Sequence, residues 1–552
     1  MTDHPVATEQ FIRVAGRVLE AVLESDPQQA TELGDHRFDD RLTDLSPAAT
    51  ADRCVVLTDA LGALDELDDV ALDEADRVDL EILRTKVAHD LWVTGELRPH
   101  QTNPLQHLPG DALYALLARP RADPAERLRA LTGRLTAVPQ RLATARQVLG
   151  EMSAVHVETA IARTRGTIGL LDEIDPVADQ VPTLAGPARA AKQQAGAALD
   201  QHVRWLEQQL PEATADPRLG EQTFAAKLWY TLDTQISPDS LLTRAESELQ
   251  AVEEEIAELA AELAGRPNRP GQVREVLDRL ADQRPVTGDD VLPLCRQALA
   301  EATDRVRALD LVEVPDDPVE IIEMPEPMRG LAVAYCDAPG PLEPAPRPPT
   351  FFAVAPAPAD WDQGRVASFY REYNGHLLRN LTVHEAMPGH VLQLAHAARY
   401  RGNTAVRAAA MSGSFVEGWA VYAEQLVAEA GWGAGAELDA GLRMQRLKVL
   451  LRSTINAILD VRVHTRGMTE AEAMALMTGR GHQEQGEAAG KWRRSMLTSA
   501  QLSTYFVGYH EVRDLVGRLR DTRPGVGDRE LHDAVLAHGS PPPRHLATLL
   551  GL

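Results

Sequence analysis

The chain has 552 residues and a formal net charge of −26. Hydrophobic residues make up 44% and charged residues 25%, a composition typical of a globular protein long enough to bury a large core without disulfide bonds. A polyanion is repelled by nucleic acid and by anionic lipid surfaces, so the charge argues against both as partners. Aromatic residues are only 4%, so we expect a core of Leu, Ala and Val, in helices rich in Glu and Arg.

The three cysteines, Cys54, Cys295 and Cys336, are far apart, and none lies in a C-x-x-C pair. This spacing is not that of a disulfide framework or of a zinc site built from thiolates. The first residues, MTDHPVATEQF, contain no basic segment followed by an apolar one, and no apolar run reaches membrane-spanning length. We therefore expect a cytoplasmic protein without a membrane partner.

Residues 1–330 have the pattern of successive helices, and the segment that begins at Ser237 shows it most clearly. Ser237 is suited to cap a helix, and Pro238 fits the first helical position. Apolar residues then recur at alternating steps of three and four, at Leu249, Val252, Ile256, Leu259 and Leu263. This spacing predicts one buried helical face, and Gly265 and Pro267 predict the helix end.

A proline-rich segment at residues 337–360 interrupts the helical pattern, because its proline density excludes a regular helix. Two short apolar runs flank or lie within it, LAVAYC at 331–336 and FFAVA at 351–355. They predict a small strand pair or an extended connection, and so a mainly α fold with a small β element near residues 330–356. The predicted regions are a helical part over 1–330, a connection over 331–363 and a helical part with the functional motifs over 364–552.

The segment LTVHEAMPGHVLQLAH, residues 381–396, contains the first candidate site. Zinc hydrolases place two imidazoles and a carboxylate close together, and a Glu beside the first His takes a proton from a metal-activated water. Their usual spacing is H-E-x-x-H, whereas His384 and His390 are six residues apart and would lie on different faces of a straight helix. A kink or wide turn at Pro388 and Gly389 would bring the two imidazoles together. A lone His–Glu pair is also common on helices that bind no metal.

The segment SFVEGWAVYAE, residues 414–424, offers a third ligand. Its apolar residues fall at helical spacing and predict a core face, at Phe415, Trp419, Tyr422 and Leu426. Glu417 and Glu424 are seven residues apart and share another face. A carboxylate from a following helix is a common zinc ligand, which suits Glu417, and Glu424 could lie behind the ligands and orient an imidazole. Either Glu could equally be a solvated surface carboxylate.

These motifs, in order with EYN upstream, resemble the large bacterial DUF885 family, which is grouped with zinc metallopeptidases and is mostly helical. The usual pattern reads EYN, TxHEAxPGHxxQ and FxEGWAxYxE. The chain matches it at Glu372, Tyr373, Asn374, Thr382, His384, Glu385, Pro388, Gly389, His390, Gln393, Phe415, Glu417, Gly418, Trp419, Tyr422 and Glu424. The resemblance covers mainly residues 320–515. It implies that the metal ligands are His384, His390 and Glu417, with Glu385 as the base.

Two later segments also resemble family elements. DVRVHTRGMTEAEA, residues 460–473, is similar to a D-x-G-x-H element, with Arg462 where a glycine is usual. RSMLTSAQLSTYFVG, residues 494–508, is similar to an R-(x)6-Q-(x)3-Y-x-x-G element, in which Ser499 and Ala500 replace a usual Pro-Gly. The matching residues are Asp460, His464, Arg494, Gln501, Tyr505 and Gly508.

Each polar residue in these elements has a chemical role open to it. Amide hydrolysis builds negative charge on the carbonyl oxygen, and Tyr505 and His464 are candidate donors to it. Arg494 could pair with a substrate carboxylate, and Tyr373 and Asn374 are further candidates for substrate binding. Ordinary structural roles remain open for all of them: a packed Tyr, a helix-capping His, a surface Arg.

The sequence thus predicts a zinc-dependent hydrolase that cleaves a small peptide or related amide. Two imidazoles and a carboxylate suit zinc, although Mn, Co or Fe could use the same ligands. One alternative is an amide hydrolase of a specialised biosynthetic pathway, which Arg462 and the lost Pro-Gly would fit. The other is an inactive helical metal-binding or interaction protein, against which the intact Glu385 argues. The oligomeric state is left open.

Overall fold

A computed structural model describes residues 4–118, 123–329, 333–359 and 361–552. The chain divides into two compact units. The first consists of Met1–Pro217, Pro339–Pro348 and Arg401–Ala410, and the second of Arg218–Ala338, Pro349–Tyr400 and Met411–Leu552. The predicted divisions at residues 330 and 363 follow changes of pattern along the sequence, whereas these units group segments that are distant in sequence.

The first unit is helical. Its helices are α1 (His4–Ser25), α2 (Pro27–Leu33), α3 (Pro47–Asp65), α4 (Glu74–Trp92), α5 (Gly110–Leu117), α6 (Pro124–Val148), α7 (Ala154–Leu170), α8 (Ile174–Asp179), α9 (Pro182–Gln209) and, much later in the chain, α17 (Val406–Ala409). Leucines of α6 pack on alanines of α9 in its core. The buried ion pair between Arg407 and Asp79, 2.5 Å apart, fastens α17 to α4.

The second unit contains the remaining elements. They are α10 (Glu221–Leu232), α11 (Pro238–Ala264), α12 (Gln272–Gln283), α13 (Gly288–Ala308), β1 (Val319–Glu323), β2 (Ala334–Asp337), β3 (Thr350–Val354), α14 (Gln363–Glu372), α15 (Gly375–Glu385), α16 (His390–Ala397), α18 (Gly413–Ala430), α19 (Ala436–Arg466), α20 (Glu470–Ala475), α21 (Gln485–Leu497), α22 (Ser503–Thr522), α23 (Asp528–Leu536) and α24 (Pro543–Leu549). The chain is 72% helix and 3% strand, which confirms the predicted mainly α fold.

The small β element is a three-stranded sheet of order β1-β3-β2, with β1 parallel and β2 antiparallel to β3. The expected strand pair corresponds to β2 and β3, although Leu331 and Ala332 of the first apolar run lie outside the described residues. β1 lies in the region where only helix was predicted. Five residues carry too short a pattern to separate strand from helix, and β1 is fixed by pairing with residues that follow some 30 positions later.

Helix α11 forms as its sequence predicts. The Ser237 hydroxyl accepts a hydrogen bond from the Ser240 amide, and Gly265 ends the helix in the left-handed conformation, with φ 62°. The buried apolar face of the helix packs against the long helix α19. Within the part of the chain that the structure describes, no helix has the length and apolar character needed to cross a membrane.

Helices α18 and α22 cross with their backbones in contact, because glycine lies at the crossing on both. A Cβ at Gly508 would lie 1.9 Å from the Ser414 carbonyl oxygen, and one at Gly418 would lie 2.3 Å from the Gly508 carbonyl carbon. No side chain fits at either position. This crossing carries Tyr505, one turn before Gly508, close to the helix that bears Glu417.

We predict that Gly508→Ala destabilises the protein by about 3 kcal/mol, because the added methyl group must push two backbones apart. Gly517→Ala on the same helix is the matched control. Nothing lies within 4 Å of a Cβ there, so this change should add about 0.5–1 kcal/mol through helix propensity. Chemical denaturation of both variants measures the difference, and equal stabilities would contradict the close crossing.

Candidate metal centre

A sharp turn between α15 and α16 brings the two histidines together. Pro388 cannot continue α15, and the Gly389 amide donates a hydrogen bond to the Val383 carbonyl oxygen at 2.9 Å. A Cβ at Gly389 would lie 1.9 Å from the His384 carbonyl oxygen, so only glycine lets the chain fold back this tightly. The Trp419 indole N–H holds the turn by donating to the Pro388 carbonyl oxygen at 2.8 Å. The imidazole centroids of His384 and His390 are consequently 4.8 Å apart.

The side chains of His384, His390 and Glu417 converge on one point. Nε2 of each imidazole lies 3.5 Å from Oε2 of Glu417, longer than an ordinary hydrogen bond. That oxygen is buried and has no hydrogen-bond partner within the described part of the chain. Three ligands about 2.0–2.1 Å from zinc at tetrahedral angles lie roughly 3.3–3.4 Å from one another. The three residues therefore fit a cation such as zinc.

Glu424 fixes the orientation of His384. Nδ1–H of His384 donates to Oε1 of Glu424 at 2.7 Å, and the Asn380 amide donates to Oε2 at 2.7 Å. Since Nδ1 is committed to this buried carboxylate, Nε2 is the atom that faces Glu417. Carboxylates that hold a ligand imidazole in this way are typical of metal sites.

The electrostatics of this cluster favour positive charge at its centre. Burial raises the pKa of the Glu417 carboxyl, but the two facing imidazoles lower it more strongly, so the pKa lies well below its ordinary value. Burial lowers the pKa of His384, whereas Glu417 and Glu424 raise it well above the ordinary value. A proton on His384 thus partly balances the carboxylates, and a divalent cation in its place would supply more positive charge.

Glu385 lies beside the cluster, at the end of α15. Its side chain is buried, and burial raises the pKa of its carboxyl above the ordinary value, while the neighbouring imidazoles oppose this effect. A carboxylate whose pKa is raised accepts protons more readily near neutral pH, as a general base must.

Tyr505, Arg494 and Gln501 form one hydrogen-bonded group. Arg494 Nη2 donates to Oε1 of Gln501 at 2.8 Å and to the Tyr505 hydroxyl at 3.3 Å. Burial and the negative charge of Glu417 raise the pKa of Tyr505, which keeps its proton on the phenol. The structure therefore brings Tyr505 into the field of the candidate metal ligand. Arg494 has its partners within the protein, and its hydrogen bond to the Tyr505 hydroxyl helps to orient that side chain.

His464 is held by the backbone. Its Nδ1 accepts from the Leu219 amide at 3.4 Å, its Nε2–H donates to the Thr498 carbonyl oxygen at 2.9 Å, and its ring stacks on Phe224. With both nitrogens engaged, the imidazole has no N–H to direct at a substrate. This geometry favours a role in positioning the segment before Tyr505.

Asp460 supports the same segment. Its carboxylate accepts hydrogen bonds from the amides of Ala500 and Ser503 and from the Ser503 hydroxyl. Ala500 adopts the left-handed conformation, with φ 63°. Glycine, the usual residue at this position in the motif, adopts that conformation more easily. The turn is thus kept without Pro-Gly, and it leads directly into Tyr505.

Tyr373 and Asn374, the predicted substrate-binding residues, are buried in the scaffold. Asn374 caps α15 by accepting hydrogen bonds from the amides of His376 and Leu377. The Tyr373 hydroxyl donates to Glu487 at 3.0 Å. Both residues fix the helix that carries His384 and Glu385, and no bound group is needed to satisfy them.

A largely buried charged network next to this site was missed in the sequence. It comprises the ion pair of Glu372 with Lys448 at 2.8 Å, that of Glu487 with Arg452 at 2.6 Å, and Lys491. Glu487, Lys491 and Arg494 are spaced i, i+4, i+7 on α21, so they share one helix face. That spacing is visible in the sequence, but charged stripes usually face solvent, and nothing local shows that this one is buried.

Comparison with known proteins agrees with this architecture. Residues 27–550 match the family described as "Bacterial protein of unknown function (DUF885)". The chain belongs to the DUF885 family. No curated protein matches this DUF885 protein.

Two solved structures share the fold of this DUF885 protein. One, a "putative lipoprotein of unknown function" from Shewanella oneidensis, is 24% identical with a TM-score of 0.81 and aligns over 98% of this chain and all of that chain. The other, a "putative lipoprotein" from Colwellia psychrerythraea, is 18% identical with a TM-score of 0.81 and aligns over 99% of this chain and 98% of that chain. These likenesses establish the fold alone.

We predict that Glu424→Gln weakens zinc binding by roughly 10- to 100-fold. Glutamine keeps one acceptor oxygen where His384 and Asn380 each require one, so its NH2 group must face one of these donors. Competition with a chromophoric zinc chelator measures the affinity. Glu429→Gln, which removes a charge from an exposed position on the same helix, should bind zinc as tightly as the unmodified protein. Equal affinities of both variants would remove Glu424 from the site.

Proposed function

We propose that this protein is a zinc-dependent hydrolase that cleaves a peptide or related amide bond. The observation that carries the proposal is the convergence of two imidazoles and one carboxylate on a single point, with the buried Glu385 adjacent to the first imidazole. Zinc sites of hydrolases use such a ligand set and leave one position open for reaction. When bound, the metal supplies Lewis acidity toward water and toward a carbonyl oxygen.

The residues of this chain divide the remaining chemistry between them. Glu385 accepts a proton from the attacking water and passes it to the nitrogen of the leaving amine, so that amide and water give one carboxylic acid and one amine. The Tyr505 phenol, still protonated, donates a hydrogen bond to the oxygen on which negative charge develops. Arg494 and Gln501 hold Tyr505 in place for this role.

The alternatives fit less well. Arg462, which would suit a repurposed pocket for a biosynthetic amide, forms an ion pair with Glu246 on α11 and is substantially exposed there. An inactive binding protein would have no use for a buried base such as Glu385, whose desolvation costs stability. A small peptide or amide remains the proposed substrate, and Mn, Co or Fe remain possible occupants of the same ligands.

For the cellular location we keep the cytoplasm as the proposal, on the basis of three scattered, unpaired cysteines. The two solved relatives are called lipoproteins, so a lipid-anchored or secreted location is the competing proposal. Cell fractionation of the native host separates the two.

The base is tested by Glu385→Gln, which keeps the shape of the side chain and removes its proton acceptor. We expect zinc binding to persist and turnover to fall by roughly two to four orders of magnitude. Zinc content and peptide hydrolysis, each measured with and without a chelator, decide the result. Unchanged turnover would contradict the proposed mechanism. Loss of zinc together with loss of turnover would indicate that Glu385 is a ligand instead.

A second test concerns Tyr505→Phe. Because its hydrogen bond strengthens as charge develops, kcat should fall by roughly 100- to 1000-fold while KM changes little. Steady-state kinetics on one peptide substrate provide the comparison. Tyr370→Phe, which removes a phenol from α14, should leave kcat near that of the unmodified protein. Normal kinetics for Tyr505→Phe would leave that residue with a packing role only.

A further inference from the structure

Lys491 is buried next to the candidate metal centre without a partner. The residue is 6% exposed, and within the described part of the chain its amino group has no hydrogen bond and no ion pair within 4 Å. An unpaired ammonium group in such surroundings is costly, and an anion bound beside it would remove that cost. The adjacent acidic group on its own helix, Glu487, is already bound to Arg452 at 2.6 Å and to the Tyr373 hydroxyl.

The position of Lys491 follows from its neighbours on α21. It lies one turn after Glu487 and one turn before Arg494, on the same helix face. Arg494 contacts the Tyr505 hydroxyl, and the charge of Glu417 acts on both Tyr505 and Lys491. Along α21, Lys491 therefore lies between Glu487, which binds Tyr373, and Arg494, which binds Tyr505.

Counted with Lys491 as an ammonium group, the cations in this cluster outnumber the carboxylates by three to two. Arg452, Lys491 and Arg494 lie together, and the nearby carboxylates, Glu487 and Glu417, are committed to Arg452 and to the two imidazoles. Burial and the two arginines lower the pKa of Lys491 well below its ordinary value, which shows how unfavourable a further cation is there. A metal ion at Glu417 would increase the imbalance. The group that would restore neutrality is an anion.

We propose that Lys491 binds a carboxylate of the substrate and selects molecules that carry a free carboxylate close to the bond to be cleaved. The inference rests on the proposed function, which supplies the bond. Lys491 takes this role in preference to Arg494, because Nη2 of Arg494 already donates to Gln501 and Tyr505, whereas the amino group of Lys491 has no partner. An ammonium group without partners is free to form a charge-assisted hydrogen bond with an incoming carboxylate. The carboxylate is that of a chain end or of an acidic side chain.

The test compares Lys491→Met with the unmodified protein on three probes: a short peptide with a free C-terminal carboxylate, the same peptide amidated, and the amidated peptide with a C-terminal glutamate. The zinc-loaded unmodified protein should prefer one of the two carboxylate probes over the plain amidated peptide. Lys491→Met should lose roughly 10- to 100-fold in kcat/KM on that probe and about threefold or less on the plain amidated peptide. Arg493→Met is the matched control, since it removes a positive charge from an exposed position on the opposite side of α21 and should keep the preference.

Equilibrium binding of the same probes to Glu385→Gln, with and without Lys491→Met, separates this inference from the proposed hydrolysis. Binding that prefers a carboxylate and depends on Lys491, without cleavage of any probe by the active protein, would support Lys491 and refute the hydrolase. Cleavage that depends on Glu385 but is equally fast with and without a substrate carboxylate would support the hydrolase and refute the role of Lys491. If circular dichroism shows that Lys491→Met is unfolded, Lys491→Arg and Lys491→Gln replace it, and only the arginine variant should keep the preference. No carboxylate preference in either measurement overturns the inference.

Discussion

The candidate site depends on one steric constraint, the contact between Gly389 and the end of α15. The chain must turn tightly over residues 386–389, between α15 and α16, so that an imidazole from each side of the turn faces the same carboxylate. A Cβ at position 389 would lie 1.9 Å from the His384 carbonyl oxygen, so the turn exists only because that atom is absent. The contact between Gly418 and Gly508 is a second steric constraint of this kind. Because neither residue has a Cβ, α22 packs directly on α18 and brings Tyr505 close to it. Two close approaches of backbone therefore define the distances within the site.

These contacts explain why the ligand spacing departs from the usual four residues. On a continuous helix, a separation of four places two imidazoles on one face. Here the helix ends and a second one begins, so a separation of six gives the same convergence by a different route. The Trp419 N–H joins this turn to α18, which also carries Glu417 and Glu424. Since one helix supplies the third ligand, the residue that orients His384 and the anchor of the turn, the three functions cannot move independently.

The sequence predicted what is encoded locally and missed what depends on distant contacts. The helical class, the cap at Ser237 and the buried face of α11 follow from short-range periodicity, and the structure has all three. Strand β1 and the carboxylate-bound network around Arg452 were missed, because pairing with residues far along the chain creates both. His464 matched a motif by position, but only the fold shows that the backbone engages its two nitrogens. Motif matching locates a residue on the chain, and it does not state where the side chain points.

The net charge of the chain is negative, whereas the cluster of Arg452, Lys491 and Arg494 is positive, and the two are physically consistent. A net charge of −26 acts between exposed groups, and salt screens it over about 8–10 Å. Lys491 and His390 are buried, and Arg452, His384 and Glu417 are largely shielded, so solvent screens their mutual interactions less than those of surface groups. An anion that reaches them is bound by nearby positive groups in a medium of low polarity, while the distant surface charge contributes little. The acidic surface therefore argues against extended polyanions such as nucleic acid, and it leaves a small carboxylate free to bind inside.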